Sequence, residues 1–219
     1  MSQYNFEFKN IPAFERKDFI VSSSNFEAVS WLDKWPNWEK SGIFFYGAPG
    51  SGKTHLIHSW KFKTGGLILN EKNSSNFSIN KIYENKHLAV DNASKIPEKT
   101  LLHVINICIE EKGTIFILDR EAPARWEVSL KDLESRLRAM TTVELKNPDD
   151  KLIEQLFFKL FYDRQIKIND DVVKYLVKRV ERDFEYIQSI VEIIDTKSFS
   201  YKKEITIPFV AGVLKKINF

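Results

Sequence analysis

Residues 47–54 of the 219-residue chain read Gly-Ala-Pro-Gly-Ser-Gly-Lys-Thr, which fits the pattern G-x-x-x-x-G-K-[ST]. This pattern binds phosphate only when it forms the turn between a buried strand and the start of a helix. An apolar run at 42–46 precedes it, and a helical pattern continues from Thr54 to Trp60. The sequence therefore predicts a strand, a phosphate-binding loop (P-loop) and a helix around which the chain folds.

The residue types of this loop suit an anionic ligand. Glycine has no Cβ, so the backbone at these positions can approach an anion, and its N–H groups and the helix N-terminus can face a β-phosphate. Lys53 would supply positive charge to the terminal phosphates, and the Thr54 hydroxyl would ligate Mg²⁺. We expect ATP or ADP with Mg²⁺ as the ligand. The predicted nucleotide-binding residues here are Gly47, Ala48, Pro49, Gly50, Ser51, Gly52, Lys53, Thr54 and His55.

Two other apolar runs end in acidic residues, Asp91 and Asp119. An acid at the carboxyl end of a neighbouring parallel strand can hold Mg²⁺ directly or through water, so Asp91 is the predicted metal ligand beside Thr54. Asn92 follows it, and an amide can orient an attacking water but cannot deprotonate it. Intrinsic hydrolysis is therefore expected to be slow. Asp119 would lie near the terminal phosphate if its strand sits between the other two.

Strand and helix patterns alternate up to residue 145, and only helical patterns follow. Buried strands are predicted at 42–46, 67–69, 87–91, 114–120 and 142–145, and a polar loop at 70–80. This alternation predicts an α/β fold with a parallel sheet. Later helices are predicted at 149–164, 170–182, 183–197 and 208–217. We expect a nucleotide-binding domain at 11–147 and a small all-helical domain at 148–219, hinged at Asn147-Pro148.

Composition limits the other possibilities. The 33 Lys and Arg residues against 30 Asp and Glu give a net charge of +3, which does not by itself indicate a nucleic-acid surface. Direct, specific DNA binding is therefore not expected. The lone cysteine, Cys108, lies in an apolar run and is predicted to be a buried small hydrophobe. Without a membrane-length apolar stretch or a leader pattern, we expect a cytoplasmic protein with no membrane partner.

Near the N-terminus, Tyr4, Phe6 and Phe8 alternate with polar residues. Such alternation predicts an extended segment. The pattern alone is compatible with an edge strand or loose arm of the main domain, and with a linear peptide that docks into a groove of a partner.

Taken together, these residues resemble the AAA+ ATPases, an α/β P-loop domain followed by a helical lid, and in detail the DnaA-related replication regulators of the Hda type. The similarity covers nearly the whole chain and rests on several segments. The loop at 47–58 resembles the family's P-loop, and Ile20, Val21 and Asn25 belong to a stretch similar to its adenine-side segment. Residues 118–123, which include Asp119, resemble sensor 1. Residues 133–137 resemble the S-R-[FL] motif, and 205–210 the closing helix of the lid.

The resemblance implies partners and roles. Gln3, Tyr4, Phe6 and Phe8 lie in a segment, 1–10, similar to the glutamine-led peptide that binds the DNA polymerase sliding clamp. Arg136 corresponds to an arginine finger that enters the nucleotide site of a neighbouring subunit. The implied function is promotion of ATP hydrolysis by DnaA, which switches the initiator off, and a homo-oligomer is possible.

Two positions depart from the family pattern. Asn92 replaces a second acid, and Glu185 occupies the sensor 2 position where the family has arginine, with Arg182 one turn earlier as a partial substitute. Both changes weaken the expectation that this chain turns over ATP. Neither removes the contact of the P-loop with a β-phosphate, so ADP is expected to be the ligand that it holds best. Two other functions stay open: a self-sufficient P-loop ATPase or small kinase, and a clamp adaptor whose nucleotide site is purely structural.

Overall fold

Five parallel strands form one sheet in the computed structural model, which describes residues 20–38 and 42–217. The strands are β1 (Gly42–Tyr46), β2 (Leu67–Leu69), β3 (His87–Val90), β4 (Thr114–Asp119) and β5 (Thr141–Glu144). Their order across the sheet is β2-β3-β4-β1-β5. The predicted α/β parallel sheet is confirmed, and the acid-ending strand β4 does lie between β1 and β3. Residues Tyr46 and Asp119 are paired at the carboxyl end.

Helices cover the sheet and then continue alone. The sheet-associated helices are α1 (Phe26–Lys34), α2 (Lys53–Thr64), α3 (Asn80–Asn85), α4 (Glu98–Glu110) and α5 (Lys131–Ala139). The C-terminal helices, here called the lid, are α6 (Asp150–Asp163), α7 (Asp170–Val177), α8 (Phe184–Tyr201) and α9 (Ile207–Ile217). Within the described residues no helix is long and apolar enough to cross a bilayer.

Both faces of the sheet are buried, as the apolar strands predict. On one face, the Phe116 ring lies 4.7 Å from that of Phe45 and 5.5 Å from that of Trp60, measured between centroids. On the other face, Phe44 meets Trp126 edge-on at 5.3 Å. Cys108 is completely buried on that second face, which confirms its prediction as a core residue.

The lid has a hydrophobic core of its own. Ile153, Phe157, Val173 and Ile190 are among its fully buried members. Two helices of the lid begin at aspartates whose side chains accept a hydrogen bond from the first turn. Asp149 accepts from the Leu152 N–H at 2.7 Å, and Asp183 accepts from the Tyr186 N–H at 2.8 Å. These caps satisfy backbone donors that the helix itself leaves unpaired.

The main differences from the sequence-based expectations lie in three helices. Helix α3 was not predicted, because its six residues bury a single side chain, Ile82, and so carry no helical periodicity. Helix α7 ends at Val177 and not at residue 182, since the following charged residues form turns in which the N–H groups of Arg179 and Val180 bond to the Leu176 carbonyl. Helix α8 continues to Tyr201, four residues beyond the prediction.

Candidate nucleotide-binding site

The predicted loop connects β1 to α2 at the carboxyl edge of the sheet. Its first residue is fixed to the neighbouring strand, because the Gly47 N–H donates to the Asp119 carbonyl at 3.2 Å. Gly50 and Gly52 both have positive φ, +73° and +92°, the left-handed region that favours glycine. A Cβ at Gly47 would lie 2.8 Å from the Ser51 hydroxyl and still closer to the Leu145 carbonyl oxygen. The loop therefore needs glycine for close packing as well as for backbone conformation.

Lys53 is held over the loop by its own backbone. The ammonium nitrogen donates to the Gly47 carbonyl at 2.6 Å and to the Ala48 carbonyl at 2.7 Å. Burial lowers the pKa of Lys53, and the positive charge of Arg120 acts in the same direction, whereas nearby carboxylates partly oppose this shift. A partly buried ammonium in this position gains interaction energy from an arriving phosphate, because that anion replaces neutral carbonyl partners.

Asp91 and Asn92 follow the end of β3. Burial raises the pKa of Asp91, and the Asn92 N–H and the Lys53 charge act against that increase. Asn92 adopts a left-handed conformation, with φ at 50°, at the start of a short 3₁₀ helix (Ala93–Lys95). Asp91 is thus a partly desolvated carboxylate close to the P-loop lysine, which suits the metal-associated role predicted for it.

Asp119 is buried, with both carboxylate oxygens hydrogen-bonded. One oxygen accepts from the Ser94 N–H at 2.7 Å and the other from the Arg120 N–H at 2.6 Å. Its carboxylate therefore ties the turn after β3 to the end of β4. Sequence reasoning missed Ser94, since a backbone donor leaves no mark in the residue types. Because an ionised carboxylate only accepts hydrogen bonds, Asp119 would act on a phosphate through water or Mg²⁺ and not by direct contact.

The residues present fit a phosphate-bearing ligand. The glycines leave the loop backbone accessible, Lys53 provides charge, and His55 lies in the first turn of α2 beside the exposed Thr54. Over residues 20–38 and 42–217 no three His, Cys, Asp or Glu side chains cluster as a metal site would require. Mg²⁺ at Thr54 and Asp91 would therefore depend on phosphate oxygens and water for its remaining ligands, as is usual for this ion.

The start of lid helix α8 rests on the loop. The Phe184 N–H donates to the Gly50 carbonyl at 3.3 Å. The space that a Cβ on Gly50 would need is filled by the Asp183 carboxylate, and a Cβ on Gly52 would lie 3.2 Å from the Phe184 ring. Sequence reasoning missed both lid residues, since neither type is distinctive and the family resemblance points to the next position.

That next residue, Glu185, has an exposed side chain in the first turn of α8. Arg182 does not take over the sensor 2 position. Its guanidinium donates to the Asp150 carboxylate at 2.7 Å and to the Pro148 carbonyl at 3.1 Å, at the start of α6. In this structure Arg182 therefore binds the start of α6, and its substitution for the missing arginine stays a prediction.

The adenine-side residues lie beside the lid. Ile20 packs against the lid core, Val21 is exposed, and Asn25 is buried. The Asn25 amide donates to the Ile20 carbonyl at 2.8 Å, while its oxygen accepts from the Ser22 N–H at 2.9 Å. Asn25 thus shapes the segment that carries the other two residues, which makes it a structural support for that side of the site.

The remaining predicted residues lie away from the loop or outside the described chain. Arg136 is on α5, which packs on α4 and on a short 3₁₀ helix (Pro123–Arg125). Its Nε is 3.9 Å from the Asp132 carboxylate, and 44% of the side chain is exposed. Gln3, Tyr4, Phe6 and Phe8, which are predicted to bind the clamp, lie outside the described residues.

The sheet order and the helical lid are those of an AAA+ protein. Domain III of the DnaA replication initiation protein from Thermotoga maritima superposes with a TM-score of 0.79, covering 94% of this chain and 97% of that one at 18% identity. AMPPCP-bound DnaA from Aquifex aeolicus superposes with a TM-score of 0.74, covering 86% and 67% at 18% identity. At identities this low, the superpositions establish the fold and nothing more.

Sequence comparison gives a more particular relationship. Residues 154–214 match the family described as Hda, lid domain. The chromosomal replication initiator protein DnaA of Buchnera aphidicola is 24% identical over 202 residues, which cover 80% of this chain and 46% of that protein. The chain thus spans about half the length of this initiator. The chain is thus similar to DnaA in sequence and to AAA+ proteins in fold, and its residues 154–214 match the Hda lid domain.

Proposed function

We propose that this protein is a nucleotide-binding regulator of bacterial DNA replication initiation. It binds ADP or ATP with Mg²⁺ in a domain at 11–147, closed by a lid at 148–219. Through Gln3, Tyr4, Phe6 and Phe8 it attaches to the sliding clamp. It then offers Arg136 to the ATP held by DnaA and promotes hydrolysis of that ATP. The observation that carries the proposal is the exposed Arg136 on a DnaA-related AAA+ domain.

The surroundings of Arg136 support a role outside its own chain. A single carboxylate, that of Asp132, lies within ion-pair reach at 3.9 Å among the described residues, and both side chains face solvent. Exposed pairs of this kind contribute little to stability, so the guanidinium can leave Asp132 at small cost. A fixed, delocalised cation placed at a triphosphate stabilises the charge that develops in phosphoryl transfer, with an effect of about 10³ to 10⁵ in rate.

The decisive experiment is single-turnover hydrolysis of ATP bound to DnaA in the presence of DNA-loaded clamp. The chain offers a matched control on the same helix, since Arg138 is also exposed and pairs with Glu134 at 2.6 Å. Arg136→Ala should abolish most of the stimulation, and Arg138→Ala should retain it. Equal activity of the two variants would refute the finger assignment. High turnover by this chain without DnaA would instead favour a self-sufficient ATPase.

Nucleotide binding is tested separately. The P-loop geometry and the AMPPCP-bound state of the Aquifex aeolicus DnaA structure support it. A ligand that binds only the folded chain raises stability by mass action, so ADP should increase the thermal midpoint of the wild type and not of Lys53→Ala. The matched control is Lys63→Ala, at the far end of the same helix, where the ammonium donates to the Leu32 carbonyl at 3.0 Å. No shift for the wild type would leave the clamp-adaptor function as the better description.

Clamp attachment is tested by binding the wild type and a Gln3→Ala, Phe6→Ala double variant to purified clamp. The double variant should lose binding, because peptide docking depends on a few anchoring side chains. Lys9→Ala, which changes none of the four predicted anchoring residues, serves as the control and should bind normally. Unchanged affinity of the double variant would leave the edge-strand interpretation of this segment.

A further inference from the structure

The lid places a negative charge on the P-loop. The Asp183 carboxylate fills the space beside Gly50 where a side chain would otherwise stand, and the Asp183 Cα is also close, 2.8 Å from a Cβ built there. One carboxylate oxygen accepts the Tyr186 N–H that caps α8. The backbone contact between Phe184 and Gly50 fixes this arrangement. Asp183 is therefore held against the P-loop at Gly50.

The other lid charges do not compensate for it. Arg182, the cation beside it in sequence, is bound to Asp150, and Glu185 adds a further acid in the first turn of α8. Around Lys53 the charges that act on its ammonium are those of Asp91, Asp119, Asp183 and Arg120. Lys53 and Arg120 therefore share their surroundings with three carboxylates, one of which is supplied by the lid.

We propose that Asp183 is a specificity-determining residue of the nucleotide site: it weakens the binding of phosphates there and disfavours nucleoside triphosphate more than nucleoside diphosphate. This inference rests on the proposed nucleotide-binding function and concerns the same loop. The physical reason is electrostatic, because a like charge beside the loop repels the ligand in proportion to the charge that the ligand carries. A triphosphate carries one more negative charge than a diphosphate.

The test removes the charge and keeps the fold. Asp183→Asn has nearly the same shape, and its amide oxygen can still accept the capping bond from Tyr186. The chain also supplies a matched control, since Asp149→Asn removes one negative charge from the other capping aspartate of the lid. Asp149 accepts from Leu152 and from the Ser23 hydroxyl at 2.7 Å, and it is not among the charges that act on Lys53.

Dissociation constants are measured by calorimetry for Mg²⁺-ADP and for the Mg²⁺ complex of a non-hydrolysable ATP analogue, with each of the three proteins. Asp183→Asn should bind the diphosphate about threefold and the triphosphate about tenfold more tightly than the wild type, the scale expected for one partly screened charge. Asp149→Asn should match the wild type. The gain of Asp183→Asn should shrink in high salt, because screening weakens charge interactions across an open site.

The outcomes separate the inference from the proposed function. Wild-type binding with an unchanged or weaker Asp183→Asn overturns the role of Asp183 and leaves the nucleotide site intact. Equal gains for Asp183→Asn and Asp149→Asn also overturn it, since the effect would then be one of overall charge. Binding by neither wild type nor variant overturns both conclusions. If Asp183→Asn folds poorly, Asp183→Ser provides a second uncharged cap with the same expected direction of change.

Discussion

Gly50 and Gly65 form a natural pair for measuring the contact between lid and P-loop. Both have left-handed backbones, with φ at +73° and +70°. Nothing lies within 4 Å of a Cβ built on Gly65, whereas a Cβ on Gly50 would collide with Asp183. Alanine at either position therefore meets the same backbone cost, about 1–2 kcal/mol. The difference between the two variants reports what the lid contact contributes.

The expected difference in stability between the two variants follows from the contacts that Gly50→Ala would lose. The Asp183 Cα would lie 2.8 Å from the new methyl group, and backbone at that distance cannot rotate away as a side chain could. The start of α8 has to shift, which breaks the hydrogen bond from Phe184 to the Gly50 carbonyl, a loss of about 0.5–1.5 kcal/mol. We expect Gly50→Ala to lose about 1.5–3.5 kcal/mol of unfolding free energy and Gly65→Ala about 1–2 kcal/mol.

Urea denaturation followed by circular dichroism measures both values. Since about 1 kcal/mol moves the thermal midpoint by about 2–4 °C in a chain of this length, thermal scans give a second readout. Proteolysis of the folded variants at 145–149, between β5 and α6, should also increase for Gly50→Ala alone. Equal losses of stability in the two variants would refute the description of the lid as packed on the loop.

Three further predictions concern the core and the sheet ends. Burial raises the pKa of the Cys108 thiol to about 12 from its ordinary 9.0, so stability should fall above about pH 9, where the unfolded thiol ionises, at about 1.4 kcal/mol per pH unit; Cys108→Ala should lack this slope. Burial lowers the pKa of His87 below its ordinary 6.5, so the folded state holds the neutral ring and stability should fall as the pH drops below about 6.5. A His87→Gln variant titrated from pH 8 to 5 should show a weaker decline. Asp119→Ala should lose about 1–2 kcal/mol in urea denaturation, because the partly buried hydrogen bonds from the Ser94 and Arg120 N–H groups lose their acceptor. Asp132 is exposed, and Asp132→Ala should change stability by less than about 0.5 kcal/mol.

The sequence predicted the site best where the functional residues and the strand and helix that position them lie in one short segment. The P-loop was predictable because its glycines, lysine and flanking strand and helix lie within one short stretch of chain. The position of β4 between β1 and β3 could not be predicted, since strand order depends on packing that residue types do not record. The contact of Asp183 with Gly50 joins two domains across more than a hundred residues. No spacing or composition signals such a contact.

The sequence also did not predict which charged side chain of the lid lies against the P-loop. The resemblance to relatives drew attention to Glu185, yet that side chain is exposed and the residue against the loop is Asp183. Arg182 was a reasonable candidate cation, but a carboxylate 32 residues away binds it. Which of several neighbouring charges faces a site depends on the rotation of one helix about its axis. Because the residues at the start of α8 carry charges of both signs, the sequence does not determine that rotation.

The contact between α8 and the loop has a consequence for how nucleotide and lid influence each other. Gly50 and Gly52 contact the lid, and their N–H groups are among those expected to bind a phosphate. A ligand that binds only after the lid shifts favours the shifted state, and it changes the lid equilibrium by its difference in affinity for the two states. Linkage makes the effect reciprocal. For such a ligand, a partner that holds the lid on the loop weakens nucleotide binding by the same factor by which nucleotide weakens the binding of that partner.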